Sequence, residues 1–530
     1  MDIMRNQEKT TLRKTAPHNS ESIYLIIRGL EVGIASGLVC VGYRFALEWA
    51  EKGLMQVLDI VKGSPARITL WLVLLFALGV TVNFINKWEP DAAGSGIPQT
   101  SGEIRGYFSL NWWRVILAKF IGGTTAVFSG LSLGREGPSV QLGGMAAKGA
   151  SRLTKADKTT ELRMISCGAG AGMAAAFNAP IAGTMFVLEE IHHSLDKAML
   201  CMSIVASITA DFISIAFFGH ETTFNYDTVT LALHHYWILV LMGVVLGFAG
   251  AGYNIAMVWA QKMYKRITKI PAWLKMGCVF LVSGIVGLTM PQILCGGHSM
   301  AAMLMHDRPE LTVLFVLLFA KFIFGAFSFA SGAPGGTLYP LCVLGAYIGA
   351  IFGNIAINNI GIRGGLYEEF VVIGMAGLFS SIVRAPLTGI ILVFELTGDM
   401  HSLLPIATVS LISYAVANTI GTAPFYSILF EKAVENTNAP VLNTKEVEKV
   451  LQTFTIPVGS PVANKTIADI DWGKHCVIIS VERDETPITP KGDTLLKEGD
   501  TLVILISQRR FSQDVQRICD MIKKPKIIKS

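Results

Sequence analysis

Apolar residues fall in closely spaced blocks as far as residue 420: 23–47, 68–85, 112–133, 139–150, 164–189, 200–218, 237–259, 274–290, 311–330, 338–357, 370–380, 386–396 and 403–420. A straight helical span needs approximately 20 apolar residues. Several of these blocks are shorter, or are cut by glycine and proline. A helix that stops at mid-depth is tolerated only where protein or a water-filled cavity takes up the freed backbone groups. The pattern therefore predicts an all-α polytopic membrane domain whose helices break often, as those of transporters do.

The blocks repeat. At a shift of 202 residues, Ala118-Lys119-Phe120-Ile121-x-Gly123 lies on Ala320-Lys321-Phe322-Ile323-x-Gly325. At the same shift Ser129-Gly130 meets Ser331-Gly332, Gly134 meets Gly336, Pro138 meets Pro340, and Leu142-Gly143 meets Leu344-Gly345. At a shift of 206, Ala179-Pro180-x-x-Gly183 aligns with Ala385-Pro386-x-x-Gly389, and Val187-x-Glu189 with Val393-x-Glu395. Two homologous halves follow, at about 20–220 and 233–430. Repeats built from discontinuous helices place their substrate near the midplane, at the repeat interface. Whether one repeat is inverted is not legible in the alignment.

Composition agrees with this picture and adds a second domain. The 530 residues are 52% hydrophobic and 16% charged, with 52 glycines, and the mean hydropathy is +0.50. After about Asn438 the character changes, and residues 441–530 carry 26 of the chain's 83 charges. Strand-like runs at 452–458, 476–482 and 501–507, then a helix at about 512–522 and the basic tail Lys523-Lys524-Pro525-Lys526, predict a small soluble α/β domain. The expected organisation is a cytoplasmic tail at 1–20, a membrane domain at 21–432 and this domain at 441–530. A net charge of +5 is too small for a nucleic-acid argument, and loop cations are expected to set topology instead. Residues 1–20 are polar and basic, with no cleavable signal sequence. The eight cysteines are scattered without a CxxC pair, as buried or reduced thiols would be.

Candidate chemistry concentrates in Gly134-Arg135-Glu136-Gly137-Pro138. Charged residues at membrane depth cost about 2.5–3.5 kcal/mol each on insertion scales, which makes Arg135 and Glu136 functional suspects. Pro138 reads as the first residue of a new helix, with Glu136 at its mouth. A helix N-terminus offers free N–H groups and the positive end of a dipole, so it is an anion site. A carboxylate held there occupies the place of a dissolved anion, and protonation removes its claim. The second half carries Leu338 where the first carries Glu136, so one copy alone has a titratable plug. The bland reading is an interfacial Arg–Glu pair beside a tight turn.

Together with Gly94-Ser95-Gly96-Ile97-Pro98, Gly336-Thr337-Leu338-Tyr339-Pro340, Phe177-Asn178-Ala179-Pro180 and Pro424-Phe425-Tyr426, this stretch resembles the CLC family of chloride channels and chloride/proton exchangers over most of residues 20–430. The resemblance implies a homodimer in the plasma membrane, each subunit having its own pathway built from two inverted halves of tilted and broken helices. Both termini would be cytoplasmic, and the protein would be a secondary active antiporter rather than an enzyme, with chloride, protons and membrane lipid as partners and no cofactor or metal. By position, Ser95 and Tyr426 match the hydroxyls that coordinate the central anion, and the amides around Thr337 and Leu338 match the helix terminus facing it. Glu136 matches the external gating glutamate and Glu190 the internal proton glutamate. Gly94, Gly96, Ile97, Pro98, Gly134, Arg135, Gly137, Pro138, Gly336 and Pro340 complete the motifs of the anion path. Leu338 departs from the family's usual Phe, and Gln99 replaces a residue that is often acidic. The last 90 residues look like the TrkA-C module, which implies regulation through dimer contacts or a small ligand.

Other readings compete with these. Glu190 can be a solvated glutamate at a helix end, and a passive anion channel would need no such proton relay. Ser95 as the nucleophile of an intramembrane hydrolase would want glycine at 93, where Ala93 stands. His192-His193 after Glu189-Glu190 suggest a metal less well than a cytoplasmic helix end. Glu189 pairs with Glu395 across the repeat and reads as a structural feature of both halves, whereas Glu190 pairs with Leu396 and belongs to the first half alone. Lys119 and Lys321 read as structural or field-setting.

Overall fold

The computed structural model describes residues 17–436 and 449–522, apart from 194–195, 220–230, 362–365, 400, 458, 474–475, 484–485, 508–516 and 520. Most of the expected N-terminal tail, the link at 437–448, most of the expected helix at 512–522 and the basic tail lie outside the described residues. Contacts divide the chain into two units, 1–437 and 438–530.

The first half of the membrane unit runs α1 (Pro17–Val61), α2 (Pro65–Trp88), α3 (Ile97–Ile104), α4 (Trp112–Phe128), α5 (Glu136–Leu153), α6 (Lys158–Phe177), α7 (Pro180–Phe186) and α8 (Lys197–Phe218). The second repeats that order as α9 (Tyr236–Arg266), α10 (Ala272–Thr289), α11 (His298–His306), α12 (Leu311–Ala330), α13 (Leu338–Ile360), α14 (Tyr367–Val383), α15 (Pro386–Thr397) and α16 (Leu403–Thr419), and adds α17 (Phe425–Asn436). Among the described residues, seven helices are long and apolar enough to cross a bilayer.

The helices break where the sequence forces them to. The block at 164–189 is not continuous: α6 ends at Asn178, which adopts a left-handed φ of 55°, and Pro180 opens α7. The repeat-equivalent Arg384 is left-handed too, at φ 70°, and Pro386 opens α15. Proline lacks a backbone donor and disfavours helical geometry in the residue before it, so a helix stops there and another begins. The block at 112–133 likewise loses its last residues to a loop, because α4 ends at Phe128.

Helices α5, α6 and α14 make the centre, and every residue of α14 is buried. Small residues allow this density. A β-carbon added to Gly143 would lie 2.9 Å from the Gly172 α-carbon, which brings α5 against α6 backbone to backbone. Their repeat partners Gly345 and Gly374 bring α13 against α14 in the same way. Without a hydrophobic driving force between helices in lipid, such close approach is how membrane helices gain packing energy.

The C-terminal unit is an antiparallel sheet of order β1-β4-β2-β3, made of β1 (Lys449–Thr455), β2 (Cys476–Arg483), β3 (Thr486–Ile488) and β4 (Thr501–Ser507). The short β3 has no counterpart among the predicted strands. Leu502, Ile504 and Ile506 alternate inward, and Ile518 and Ile522 pack over them. Arg483 grips Asp500 with Nε and Nη2 at 2.8 and 2.7 Å.

Candidate anion-binding site

Three glycine-rich loops meet where the halves meet. Gly134 and Gly336, equivalent positions of the repeat, exchange both backbone hydrogen bonds, N–H to O at 2.7 and 2.8 Å. Such a reciprocal pair between equivalent residues marks a local two-fold axis. The loop of Gly94, Ser95 and Gly96 is tied to the same place: the Gly94 N–H donates to Gly332 O at 3.2 Å, and Gly335 N–H donates to Gly94 O at 3.0 Å. A β-carbon on Gly137 would lie 2.6 Å from Ser95 Oγ and 3.1 Å from the Gly336 α-carbon, so the three signatures touch at backbone distance. Gly96 turns the chain into α3 with φ +95°, a left-handed conformation that glycine adopts freely, and Ile97 and Pro98 form the first turn.

Helices α5 and α13 both point their first residues here. Contrary to the sequence expectation, α5 begins at Glu136, two residues before Pro138, and α13 begins at Leu338, two before Pro340. Each proline stands third in its helix, where an orphan N–H would otherwise be left. A second refinement concerns the Glu136 carboxylate. Its Oε2 accepts from the Tyr339 N–H, at 3.4 Å, on the helix of the opposite half. Arg135 Nε lies 4.0 Å from Oε1, which has no hydrogen-bond partner.

Glu136, Ser95, Thr337, Leu338 and Tyr426 are all buried, with Glu136 wholly so. Ser95 Oγ and the Tyr426 hydroxyl have no protein partner. Buried polar groups are nearly always hydrogen-bonded, and leaving one unmade costs about 1–3 kcal/mol. Two hydroxyl donors and the amides that open α13 suit an anion, and no lysine or arginine among the residues that match the central site would trap one there. Ser95 also lines a cavity of about 290 Å³ that reaches Gln261, Lys265 and Lys432.

Glu190 is not a solvated helix end. It lies on a single π-helical turn, Val187–Ile191, that continues α7, and it is 7% exposed. Glu189 and Arg105 are the charges that act on it. Glu190 and Glu136 are both among the charges that act on the Tyr426 hydroxyl. Glu189 does something different. Its carboxylate accepts from Leu387 N at 3.2 Å, and from Thr388 N and Oγ1 at 2.8 Å, which caps α15. Glu395 caps α7 in return, accepting from Ile181 N at 2.9 Å and Ala182 N at 2.7 Å. All pairs obey the shift of 206.

Sequence reasoning undervalued the two buried lysines. Lys119 Nζ donates to Ala92 O at 2.9 Å and Gly94 O at 2.7 Å, which fixes the Ser95 loop. Lys321 Nζ does the same for Ile293 O and Cys295 O, at 2.9 and 2.8 Å. The loop it fixes turns through Gly297 at φ +99° into α11, and is the second-half counterpart of the Ser95 loop. That counterpart was invisible as a motif, though the aligned lysines pointed to it. Gln141, 2.8 Å from Asp91 O through Nε2, was missed altogether.

Residues 75–418 match the family described as voltage gated chloride channel, and residues 451–518 match the TrkA-C domain. The H(+)/Cl(-) exchange transporter ClcA of Vibrio parahaemolyticus is 30% identical over 446 residues, covering 82% of this chain and 95% of its own. ClcA of Vibrio campbellii is 32% identical over 419 residues, 76% of this chain and 88% of its own. Among solved structures, a slow cyanobacterial Cl-/H+ antiporter matches with a TM-score of 0.75 at 24% identity, covering 78% of this chain and 99% of that one. These relatives are transporters, not enzymes, and the fold is the inverted repeat of broken helices. By its sequence, its fold and the meeting of its three signatures, the chain belongs to the CLC family of voltage-gated chloride channels and chloride/proton exchangers.

Proposed function

We propose that the protein moves chloride across the membrane in exchange for protons, with Glu136 as gate and outer proton acceptor and Glu190 as inner proton acceptor. The observation that carries this reading is the buried Glu136 carboxylate, seated on an amide of the opposite half, together with two buried hydroxyls that have no protein partner. A bare anion in a low-dielectric interior costs on the order of tens of kcal/mol. One helix terminus returns at most about 2 kcal/mol. The Ser95 and Tyr426 hydroxyls, the amides at Thr337 and Leu338, the α5 terminus and water must therefore share the task. Ser95, Thr337, Leu338 and Tyr426 form the central anion site, and a carboxylate at Glu136 competes with chloride for the amides of α13. Protonation at Glu136 yields the place to the anion. Glu190, buried and specific to the first half, passes protons toward Glu136 through water.

In the same reading the protein is a homodimer in the plasma membrane with both termini cytoplasmic, and residues 441–530 regulate it through dimer contacts or a small ligand. The test is a proteoliposome flux measurement with chloride and pH electrodes together. A chloride gradient should drive protons uphill. Chloride flux without proton movement would make the protein a channel and remove the role of Glu190.

A further inference from the structure

Between Asp227 and Asp307 the chain carries no acidic residue, and its five lysines and arginines all lie at Lys262, Lys265, Arg266, Lys269 and Lys275, at the end of α9 and the start of α10. Lys265 belongs to the cavity below Ser95. Lys275 is occupied, donating to Ile267 O at 3.0 Å and lying over the Tyr264 ring. Lys262, Arg266 and Lys269 are exposed, and no ion pair among the described residues engages them. Trp259 and Trp273 flank them at 61% and 41% exposure, the position tryptophan takes at a membrane–water boundary.

Charges of this kind alone would do no more than set topology. Here they adjoin a built groove. Ile255, Val258, Trp259, Lys262, Thr422 and Ile428 line a cavity of about 360 Å³ between α9 and the start of α17. Its walls are apolar apart from Thr422, the Lys262 ammonium and Asn254, whose amide nitrogen donates to Ile382 O and Ala423 O, and Ile255, 61% exposed, lies at its outer side on α9. An occupant must therefore be apolar along the groove and negative at the Lys262 end.

We propose that this face binds an anionic phospholipid, its phosphate among Lys262, Arg266 and Lys269 and one acyl chain in the groove beside Trp259. Charge complementarity selects a lipid of net negative charge over a zwitterionic one, since a cation near an anionic headgroup favours binding by about fivefold. The groove selects a lipid over a free phosphate. Because α17 carries both Tyr426 and one wall of the groove, an occupied groove braces the helix that supplies a central hydroxyl.

The test uses the full-length protein in neutral detergent micelles, titrated with dioctanoyl-phosphatidylglycerol, dioctanoyl-phosphatidylcholine or glycerol phosphate and followed by thermal unfolding, because a ligand of the folded state raises the midpoint. Phosphatidylglycerol should bind about tenfold or more tightly than phosphatidylcholine, and raised salt should narrow that gap. The K262Q/R266Q/K269Q variant should lose about a hundredfold in phosphatidylglycerol affinity and nothing in phosphatidylcholine affinity. Trp259→Ala removes a groove wall without changing charge and should weaken both lipids. Equal affinity for the two headgroups, undiminished phosphatidylglycerol binding in either variant, or equal stabilisation by glycerol phosphate would overturn the proposal.

Discussion

In the proposed exchange Glu136 and Glu190 divide the labour at the residue scale. Glu136→Ala removes the carboxylate that accepts from Tyr339 N, and with it the proposed plug and proton carrier. Chloride flux should continue, with its pH dependence and coupled proton movement gone; retained coupling in liposomes would end the gating role. Glu190→Gln keeps the shape of a buried side chain on the π turn but cannot carry a proton. Proton flux under a chloride gradient should fall by about a hundredfold or more, the scale of losing a positioned proton-transfer group, while anion permeation persists. Wild-type proton flux in that variant would return Glu190 to the role of an ordinary buried polar group. Gly137 tests geometry instead of charge. A methyl there would lie 2.6 Å from Ser95 Oγ and 2.9 Å from Ser95 O. Overpacking of this kind costs about 1–3 kcal/mol, so Gly137→Ala should lower chloride affinity as the Ser95 loop is pushed away, measured as a rise in the apparent dissociation constant.

At the scale of elements, the pairing of Glu189 with α15 and Glu395 with α7 ties the halves together. Each carboxylate accepts at least two backbone N–H bonds from a helix of the other half. Charge-assisted caps on a helix N-terminus are stronger than neutral ones. Glu189→Gln and Glu395→Gln should each destabilise the folded protein by about 1–3 kcal/mol, because an amide leaves one N–H facing a donor. The check is the unfolding midpoint of the two variants side by side. Similar losses are expected from the symmetry, and a loss confined to Glu189→Gln would show that the caps are not equivalent. The repeat made Glu189 suspect as a structural residue, but the identity of its partners was not in the sequence.

For the molecule as a whole, the C-terminal unit carries a buried carboxylate that ties its fold to pH. Burial pushes the Asp500 carboxyl up, but hydrogen bonds from Arg483 and the Lys497 N–H, with the charges of Arg483 and Lys497, outweigh it and hold the group below its ordinary value. A carboxylate lowered on folding contributes stability that is fully present above its unfolded value, about 3.9, and that is lost as pH falls through the lower folded one. The unit should thus keep its fold from neutrality to about pH 4 and loosen only below it, followed by near-ultraviolet dichroism of Trp472. Asp500→Asn removes the charge that Arg483 Nε and Nη2 engage, while Arg483 keeps its bond to Leu495 O, and should cost about 1–3 kcal/mol, the range for losing hydrogen bonds to a charged group. An unchanged acid transition in that variant would assign the pair no part in stability.

Local chemistry was enough to read much of this from the chain. Apolar blocks about as long as a bilayer is thick, glycine and proline at fixed places, and the 202-residue repeat predicted broken membrane helices in two halves, because each depends on residues near one another in sequence. The change of composition near Asn438 predicted the soluble unit for the same reason. Tertiary structure decided what depends on distant residues meeting. Gly134 pairs with Gly336, Glu136 reaches an amide of α13 instead of remaining at the mouth of α5, and Lys119 and Lys321 bind carbonyls far along the chain. Helix starts shifted by two residues because a proline is tolerated anywhere in a first turn, so the motif alone did not fix its position. The hydroxyls of Ser95 and Tyr426 lie 331 residues apart in sequence, and no local pattern says that both are buried without a protein partner. The packing of the halves decides that.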